Sequence, residues 1–291
     1  MNEDLKTAAE TRNWKVMLAY DGSDYKGWQM QPGEPTIQSE LQEALGRVCG
    51  EKPLPQGSGR TDAGVHALGQ VASFALRAPI PPDNLQRALN KTLPPAIRVL
   101  DAQCVDCSFH ARHSAAAKIY EYRIFRGAIC PPALARFVQP CMWKLDRALL
   151  DEAAAVVVGE HDFASFAAND PDAKQRGQTS KPEPTTVRTI FASQWEAGST
   201  DAGKMLIYQV RGNGFLHHMV RNLVGTMLEI GRGQFPAGSM SAILAARKRS
   251  TAGPTAPARG LFLHSVEYSV ADTKLAPDDP EADGDSELPE E

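Results

Sequence analysis

The sequence predicts an α+β fold of two similar βαββαβ-like halves, each a mostly antiparallel sheet with helices on one face. Strand-like and helix-like hydrophobic patterns alternate in the order βαββαβ over residues 14–104, and a related alternation follows residue 118. Hydrophobic residues make up 42% of the 291 residues, which is enough for an ordinary buried core. No apolar run approaches the ~18 residues of a membrane helix, and the acidic start does not resemble a signal peptide. We therefore expect a cytoplasmic protein without a membrane segment.

In the first half, apolar residues at alternating positions indicate strands, and apolar residues at intervals of three or four indicate helices. Thr36, a residue type favoured as a helix cap, precedes one helical pattern, and prolines open the other. In chain order we predict a strand over 14–21, a helix over 36–50, a short strand near 52–56, a strand over 69–76, a helix over 81–93 and a strand over 97–104.

The second half repeats this alternation with longer elements. Residues 167–186 lack hydrophobic periodicity, which predicts a long loop of the kind that often has a function. In chain order we predict a strand over 118–125, a helix over 145–159, a hairpin of strands over 187–197 and 204–212, helices from 215 to about 231 and over 239–248, and a final strand over 261–269.

The charge is divided unevenly along the chain. The total is −4, but the last 21 residues hold nine of the 35 acids and one of the 31 basic residues, which leaves 26 acids and 30 basic residues, about +4, in the rest. High charge with few apolar residues predicts a disordered segment. The predicted organisation is a flexible N-terminal extension (1–13), an N-terminal α+β domain (14–108), a C-terminal α+β domain (109–270) and an acidic disordered tail (271–291).

Residues 57–74, GSGRTDAGVHALGQVASF, combine a glycine-rich loop with a strand that follows directly. Glycines surround Arg60, Thr61 and Asp62, so the backbone can turn tightly and present one cation and one carboxylate to a ligand. The spacing differs from a P-loop, which ends in GKS or GKT, and from a dinucleotide fingerprint, which opens a helix. A surface turn with a solvated arginine and a self-capping aspartate fits the same pattern.

The stretch HHMVRNLVG, residues 217–225, lies on a strongly apolar helical pattern. At 100° per residue, Arg221 falls at the border of the apolar stripe close to His217, whereas His218 and Asn222 are predicted to point away. Such an arginine can present its guanidinium to a carboxylate, or it can lie along an interface with its head in solvent. The histidines lack a second ligand pair at helical spacing, so no metal site is predicted here.

A second group of metal-type side chains is also predicted to be structural. Cys104, Cys107, His110 and His113 recur at spacing three, but only two residues separate the pairs, whereas finger-type zinc sites separate them by ~12 or more. The five cysteines of this long chain therefore predict free thiols in a reducing compartment.

Residues 118–125, KIYEYRIF, place Tyr120 and Tyr122 on one face of a strand by period-two spacing. Aromatic residues so placed usually belong to the core, although a tyrosine at an exposed strand end can stack on a nucleic-acid base. Basic residues near the joint between the halves predict a positively charged cleft: Lys91, Arg98, Arg112, Lys118, Arg123 and Arg126.

GRTDAGVHALGQV resembles the tRNA pseudouridine synthase A family, as do YDGSDYKGWQMQ, TIQSELQEAL, FHARHSAAAKIYEYRI, EHDFASF, GNGFLHHMVRNLVG and GLFLHSVEY, in order from about Val16 to Tyr268. The resemblance implies pseudo-symmetric halves whose sheets join into one extended sheet, with helices on one side and the active-site cleft between them. It also implies a homodimer that isomerises uridine to pseudouridine at positions 38 to 40 of tRNA, in the anticodon stem-loop.

The resemblance further implies roles for individual residues. Asp62 matches the catalytic aspartate, Arg60 the neighbouring motif arginine, Tyr120 the tyrosine that stacks on the target base, and Arg221 the arginine that pairs with the aspartate. Substrate contacts are expected from the same motifs and their basic surroundings: Arg60, Tyr120, Gly59, Thr61, Gly64, His66, Arg112 and His217. No metal and no cofactor are expected, because the isomerisation needs neither a redox change nor an external group.

Two other functional classes fit parts of the pattern. A non-catalytic tRNA-binding or chaperone protein of the same fold would not require Asp62 and Arg221 to lie together. A nucleoside or glycoside hydrolase normally needs two carboxylates flanking the scissile bond, whereas the motif offers one. Within the isomerase interpretation, Asp62 could attack C1′ of the ribose or accept a sugar proton.

Overall fold

Ten strands form a single sheet in the computed structural model, which describes residues 11–168 and 185–269. The strands are β1 (Arg12–Tyr20), β2 (Gln56–Gly57), β3 (His66–Leu76), β4 (Ile97–Val105), β5 (Ala115–Phe125), β6 (Gln139–Pro140), β7 (Gly159–Asp162), β8 (Val187–Thr200), β9 (Gly203–Gly212) and β10 (Leu261–Tyr268). Their order is β4-β1-β3-β10-β5-β9-β8-β7, with β2 beside β3 and β6 beside β5. Only β3 with β10 and β5 with β6 pair in parallel within these residues, which confirms a mostly antiparallel sheet.

The helices of the described residues begin where the sequence supplies caps or prolines. Thr36 Oγ1 accepts a hydrogen bond from the Ser39 amide at 3.2 Å, and Ser39 Oγ accepts one from the Thr36 amide at 3.2 Å, a reciprocal cap. Prolines open the next two helices, where a missing N–H costs nothing. The helices are α1 (Ile37–Cys49), α2 (Pro82–Thr92), α3 (Pro132–Ala135), α4 (Arg147–Val156), α5 (Met219–Gly231) and α6 (Ser239–Ala246).

The predicted elements are confirmed to within a few residues, and two boundaries need correction. The short strand predicted near 52–56 lies at Gln56–Gly57, because only these two residues pair with β3. The helix predicted from residue 215 begins at Met219, because His218 adopts a left-handed φ of 59° that no regular helix accommodates.

Strand β10 joins the two halves into one sheet, which confirms the extended sheet. It runs antiparallel to β5, and its residues Phe262 and Leu263 pair in parallel with His66 and Ala67 of β3. The glycine-rich loop that directly precedes β3 is therefore held beside β5, so that a Cβ added to Gly59 would lie 3.8 Å from the Tyr120 hydroxyl. The topology thus brings motifs from both halves together.

One hydrophobic core runs through both halves and joins the helices to one face of the sheet. Alternate residues of β1, such as Val16 and Leu18, are fully buried in it together with Leu41 of α1. Tyr120 and Tyr122 of β5 belong to the same core, which confirms that they share a buried strand face. The helices therefore cover the face of the sheet that also carries Tyr120.

Some expectations fall on residues outside the described ranges. The acidic tail over 271–291 lies entirely outside them, as do most of the N-terminal extension (1–13) and most of the loop predicted over 167–186. The division at 108 and 109 between two domains stays a prediction.

Candidate active site

The loop that carries Asp62 is fixed by hydrogen bonds on both sides of the aspartate. Gln70 Nε2 donates to the Gly59 carbonyl at 2.8 Å, and the Thr61 hydroxyl shares a hydrogen bond of 2.9 Å with the Tyr20 hydroxyl. The Thr61 carbonyl accepts from the Trp28 amide at 3.0 Å. The backbone on either side of Asp62 is thus bonded to neighbouring segments, so the carboxylate is presented from a fixed position.

Two glycines of the segment YDGSDYKGW allow that segment to pack against the loop. A Cβ on Gly22 would lie 1.9 Å from the Val65 carbonyl oxygen, and one on Gly27, whose φ is +89°, would lie 2.4 Å from the Thr61 carbonyl oxygen. Only glycine permits such close backbone contact. The family resemblance includes this segment but assigns it no role. The structure shows that it supports the Asp62 loop.

Three side chains from the start of α5 surround the Asp62 carboxylate. Arg221 Nη1 donates to Oδ2 at 3.0 Å, and Arg221 Nε donates to the Ala256 carbonyl at 2.8 Å, which fixes the guanidinium plane. His217 Nε2 lies 3.5 Å from Oδ1, and His218 Nε2 lies 3.4 Å from Oδ2. The contact expected between Asp62 and Arg221 is therefore present, with side-chain exposures of 18% and 15%.

The orientations predicted for His218 and Asn222 are wrong. His218 faces Asp62 because it precedes the helix in a left-handed conformation, so the helical angle of 100° per residue does not apply to it. Asn222 is fully buried, donates to the Phe166 carbonyl at 2.7 Å and accepts from Thr255 Oγ1 at 2.6 Å. Helix α5 is covered on nearly all sides, so it has no solvent face for Asn222 to occupy.

The electrostatics of this cluster favour a neutral imidazole beside the carboxylate. Burial lowers the pKa of His218, and the nearby Asp62 charge opposes that shift only in part. Asp62, His217 and His218 also form the one grouping of metal-ligand type among the described residues. Arg221 already bonds the Asp62 oxygen that a cation would share with His218, so the arrangement is better suited to holding a carboxylate than a metal.

Tyr120 lies beside this cluster on β5, and only 7% of it is exposed. Its ring packs edge-on against Phe215 at a centroid distance of 5.0 Å. Burial raises the pKa of its hydroxyl, and the nearby Tyr20 and Asp62 raise it further, so Tyr120 stays neutral. The stacking role of Tyr120 stays a prediction.

The remaining predicted residues differ in their access to the site. Arg60 is exposed, whereas Thr61 is buried and bonded to Tyr20. Gly64, with φ +76°, turns the loop after Asp62. His66 does not face the cluster: it is fully buried, accepts from the Gly22 amide at 3.1 Å and contacts the Arg136 carbonyl at 2.9 Å.

The expected substrate contact of His66 is therefore corrected to a structural one. Its ring stacks on Phe262 at 4.7 Å, and burial lowers its pKa, which keeps it uncharged in the core between the halves. The GVH part of the motif positions β3 rather than a ligand.

A family model described as tRNA pseudouridine synthase matches residues 16–114 and 153–269. The chain belongs to this family. Among curated relatives, "tRNA pseudouridine synthase A" of Solibacter usitatus is 48% identical over 257 residues, covering 88% of this chain and 100% of the relative. The proteins of the same name from Moorella thermoacetica and Bacillus pumilus are 44% and 40% identical, each covering 87% of this chain and 98% of the relative.

Solved structures add less information. A Cbf5-Nop10-Gar1 complex aligns with a TM-score of 0.27 and 12% identity, over 74% of this chain and 54% of that chain, which is too distant to inform the fold. None of the helices in the described residues is both long and apolar enough to cross a bilayer.

The basic residues of this synthase-family chain are more dispersed than the sequence suggests. Arg123 pairs with Glu121 and lies over the Phe262 ring, because odd positions of β5 face away from Tyr120. Arg126 bonds the Cys141 carbonyl at 2.6 Å, and Arg98 bonds the Pro94 carbonyl at 2.8 Å. The expectation that these cations form one positive cleft is therefore wrong for Arg123, and for Arg98 and Arg126 it stays a prediction.

Lys118 and Arg112 do approach the candidate site of this synthase-family member. Lys118 Nζ donates to the Ser58 carbonyl at 2.6 Å, next to Gly59. Gly212 of β9 pairs with both Lys118 of β5 and Ile190 of β8, which brings Arg188 close to Lys118, and both Arg112 and Arg188 lower the pKa of Lys118. Sequence reasoning missed Arg188, because it lies on β8, far from the other two in the chain.

Proposed function

We propose that the chain is an isomerase that converts uridine to pseudouridine at positions 38 to 40 of the tRNA anticodon stem-loop, with Asp62 as the catalytic carboxylate. The observation that supports the proposal most strongly is the hydrogen bond of 3.0 Å between Asp62 and Arg221, two residues separated by most of the chain. Membership of the tRNA pseudouridine synthase family and relatives named tRNA pseudouridine synthase A support the same activity.

The reaction breaks the bond between C1′ of the ribose and N1 of uracil and forms a bond between C1′ and C5. The proton on C5 is lost and N1 gains one, so the product is an isomer and no oxidant or second substrate is consumed. One ionised carboxylate is sufficient, either as a nucleophile at C1′ or as the acceptor of a sugar proton. The Arg221 guanidinium donates to Oδ2 of Asp62 and holds the carboxylate in place.

The neighbours of Asp62 suit a uracil that detaches from the ribose and rotates before it is rejoined through C5. Tyr120 and Phe215 supply aromatic surface, and the burial of Tyr120 keeps its hydroxyl protonated and able to donate a hydrogen bond. The target base must leave its helix to reach Asp62, and the exposed Arg60, two residues away, could take its place in the stack.

The alternatives are less well supported. The groups in contact with the Asp62 carboxylate among the described residues are one guanidinium and two imidazoles, rather than the second carboxylate that a glycosidase uses. A protein that only binds RNA has no use for a carboxylate held in a partly buried ion pair, since a negative charge repels phosphate. The resemblance also supports a homodimer, which we include in the proposal together with the cytoplasmic location expected from the sequence.

Release of tritium from tRNA labelled at C5 of uridine tests the activity, because isomerisation removes that hydrogen whereas binding or N-glycosidic hydrolysis does not. We expect release by the wild type, and none by Asp62→Asn with tRNA affinity retained. Asp201→Asn, in the exposed turn between β8 and β9, is the matched control and should match the wild type. Release by Asp62→Asn at the wild-type rate would refute the role of Asp62, and cleavage to free uracil would favour a hydrolase.

A further inference from the structure

Lys118 is a partly buried cation beside the Asp62 loop that the proposed chemistry does not use. It lies two residues before Tyr120 on β5 and on the same strand face, about 7 Å along the strand. Its Nζ donates to the Ser58 carbonyl at 2.6 Å and would lie 3.4 Å from a Cβ on Gly59. An ammonium group has three donors, and this bond satisfies one of them.

The charged groups that act on Lys118 are cations. None of the ion pairs formed within residues 11–168 and 185–269 includes Lys118, whereas Arg112 and Arg188 both repel its charge. Burial, followed by these two arginines, lowers the pKa of Lys118 to about 8. A partly buried ammonium beside two guanidiniums experiences charge repulsion that a bound anion relieves, so this cluster suits a receptor for negative charge.

The three cations come from separate segments that converge on one place. Arg112 is an exposed residue of the segment between β4 and β5, and Lys118 belongs to β5. Arg188 is the second residue of β8, and its Nη1 donates to the Thr185 and Val187 carbonyls at 2.8 and 2.6 Å. Its Nε would lie 3.5 Å from a Cβ on Gly214, in the loop that leads to Phe215.

We infer that Lys118, Arg112 and Arg188 form a subsite for one phosphodiester of the RNA, the linkage next to the nucleotide that reaches Asp62. This inference rests on the proposed function. An ammonium and two guanidiniums match the acceptor oxygens of a phosphodiester, and such contacts position a strand without reading its sequence. A Cβ at Gly59 would lie 3.4 Å from Lys118 Nζ and 3.8 Å from the Tyr120 hydroxyl, so Lys118 and Tyr120 face the same part of the Asp62 loop.

Stem-loop RNAs with a single methylphosphonate test the subsite, because that group replaces one charged phosphate oxygen with a neutral methyl. The methylphosphonate is placed in turn at each linkage around the target uridine. At one linkage it should raise the wild-type Kd about 10- to 100-fold, as expected for a lost charge-assisted hydrogen bond. In Lys118→Met, the unmodified RNA should bind more weakly by a similar factor, and the penalty at that linkage should fall below about twofold.

The controls separate binding from folding. Arg112→Gln and Arg188→Gln leave the bond from Lys118 to Ser58 in place and should each reduce the penalty at the same linkage. Arg87→Gln, an exposed cation on α2 that bonds Asn84, should keep the full wild-type penalty. An equal penalty in the wild type and all three cluster variants at every linkage would overturn the subsite.

Failure of the subsite is distinguishable from failure of the proposed function. Pseudouridine formation with a penalty that the cluster variants do not alter refutes the subsite alone. A cluster-dependent penalty in a protein that makes no pseudouridine supports the subsite and refutes the isomerase.

Discussion

Replacement of Arg221 by glutamine removes the only guanidinium bonded to Asp62 in the described residues and retains a side chain that can still donate a hydrogen bond. The exposures of 15% for Arg221 and 18% for Asp62 place this pair between a surface pair and a fully buried one. Loss of a fully buried partner costs about 3–5 kcal/mol, and loss of a hydrogen bond to a charged group costs about 1.5–3 kcal/mol. Two imidazoles remain within 3.5 Å of the carboxylate, so we expect Arg221→Gln to cost about 2–3 kcal/mol of interaction free energy with Asp62.

If the cost falls on the transition state, kcat/KM for pseudouridine formation should fall about 30- to 160-fold. Single-turnover tritium release should show the loss in the rate of the chemical step, with the Kd for tRNA changed less than threefold. Arg221→Lys, which keeps the charge but not the planar fork that reaches both Asp62 and Ala256, should fall between glutamine and the wild type.

Arg147→Gln is the matched control, because it removes an Arg–Asp pair with exposures of 46% and 48% on the surface of α4. We expect its rate to stay within about twofold of the wild type, since exposed pairs contribute ~1 kcal/mol or less. A rate for Arg221→Gln within threefold of the wild type would refute the argument that this guanidinium holds the catalytic carboxylate.

Three further predictions concern Gly27 beside the Asp62 loop, Tyr120 and Lys118. Gly27→Ala should lower both Tm and kcat, because its Cβ would lie 2.4 Å from a carbonyl oxygen of the Asp62 loop; Gly33→Ala, with a similar φ but nothing within 4 Å, should lower Tm less and leave kcat unchanged. Tyr120→Phe keeps the ring and should bind RNA like the wild type, whereas Tyr120→Ala should bind more weakly; equal weakening in filter binding would show that the hydroxyl matters more than the ring. Because the pKa of Lys118 is lowered to about 8, RNA affinity should fall between pH 7.5 and 9 in the wild type but not in Lys118→Arg, and a parallel fall in both would contradict this. The folded state binds fewer protons at this site than the unfolded chain, so stability relative to Lys118→Arg should rise with pH above about 8, as measured by urea unfolding.

The order of strands and helices was predictable because each element has its own local signal. The alternation of buried residues in β1 and the reciprocal cap between Thr36 and Ser39 are both readable from neighbouring residues. The start of α5 was not, because the apolar periodicity continues through His218, whose left-handed φ of 59° has no sequence signal of its own. One conformational exception therefore reversed the predicted direction of a side chain in the site.

The site was predictable where one sequence motif contains the functional residues. It was not predictable where segments distant in sequence must come into contact to complete it. The pairing of Asp62 with Arg221 followed from the family resemblance, but local spacing alone left a surface turn open as an alternative. The support of the loop by Gly22 and Gly27 depends on a backbone contact across the fold, which no periodicity reveals.

The positions of the basic residues were also hard to predict from the sequence, because proximity along the chain does not give proximity in the fold. Counting basic residues near the joint between the halves grouped Arg123 with Lys118, yet five positions along a strand place them on opposite faces. Arg188 joins Lys118 only because β9 lies between β5 and β8 and brings their ends together. The net charge of −4 and the local runs of cations are therefore both poor guides to RNA binding in this chain. The informative observation is one partly buried lysine beside two arginines, because a bound anion relieves their mutual repulsion, and Lys118 is therefore the residue at which we expect an RNA phosphate to bind.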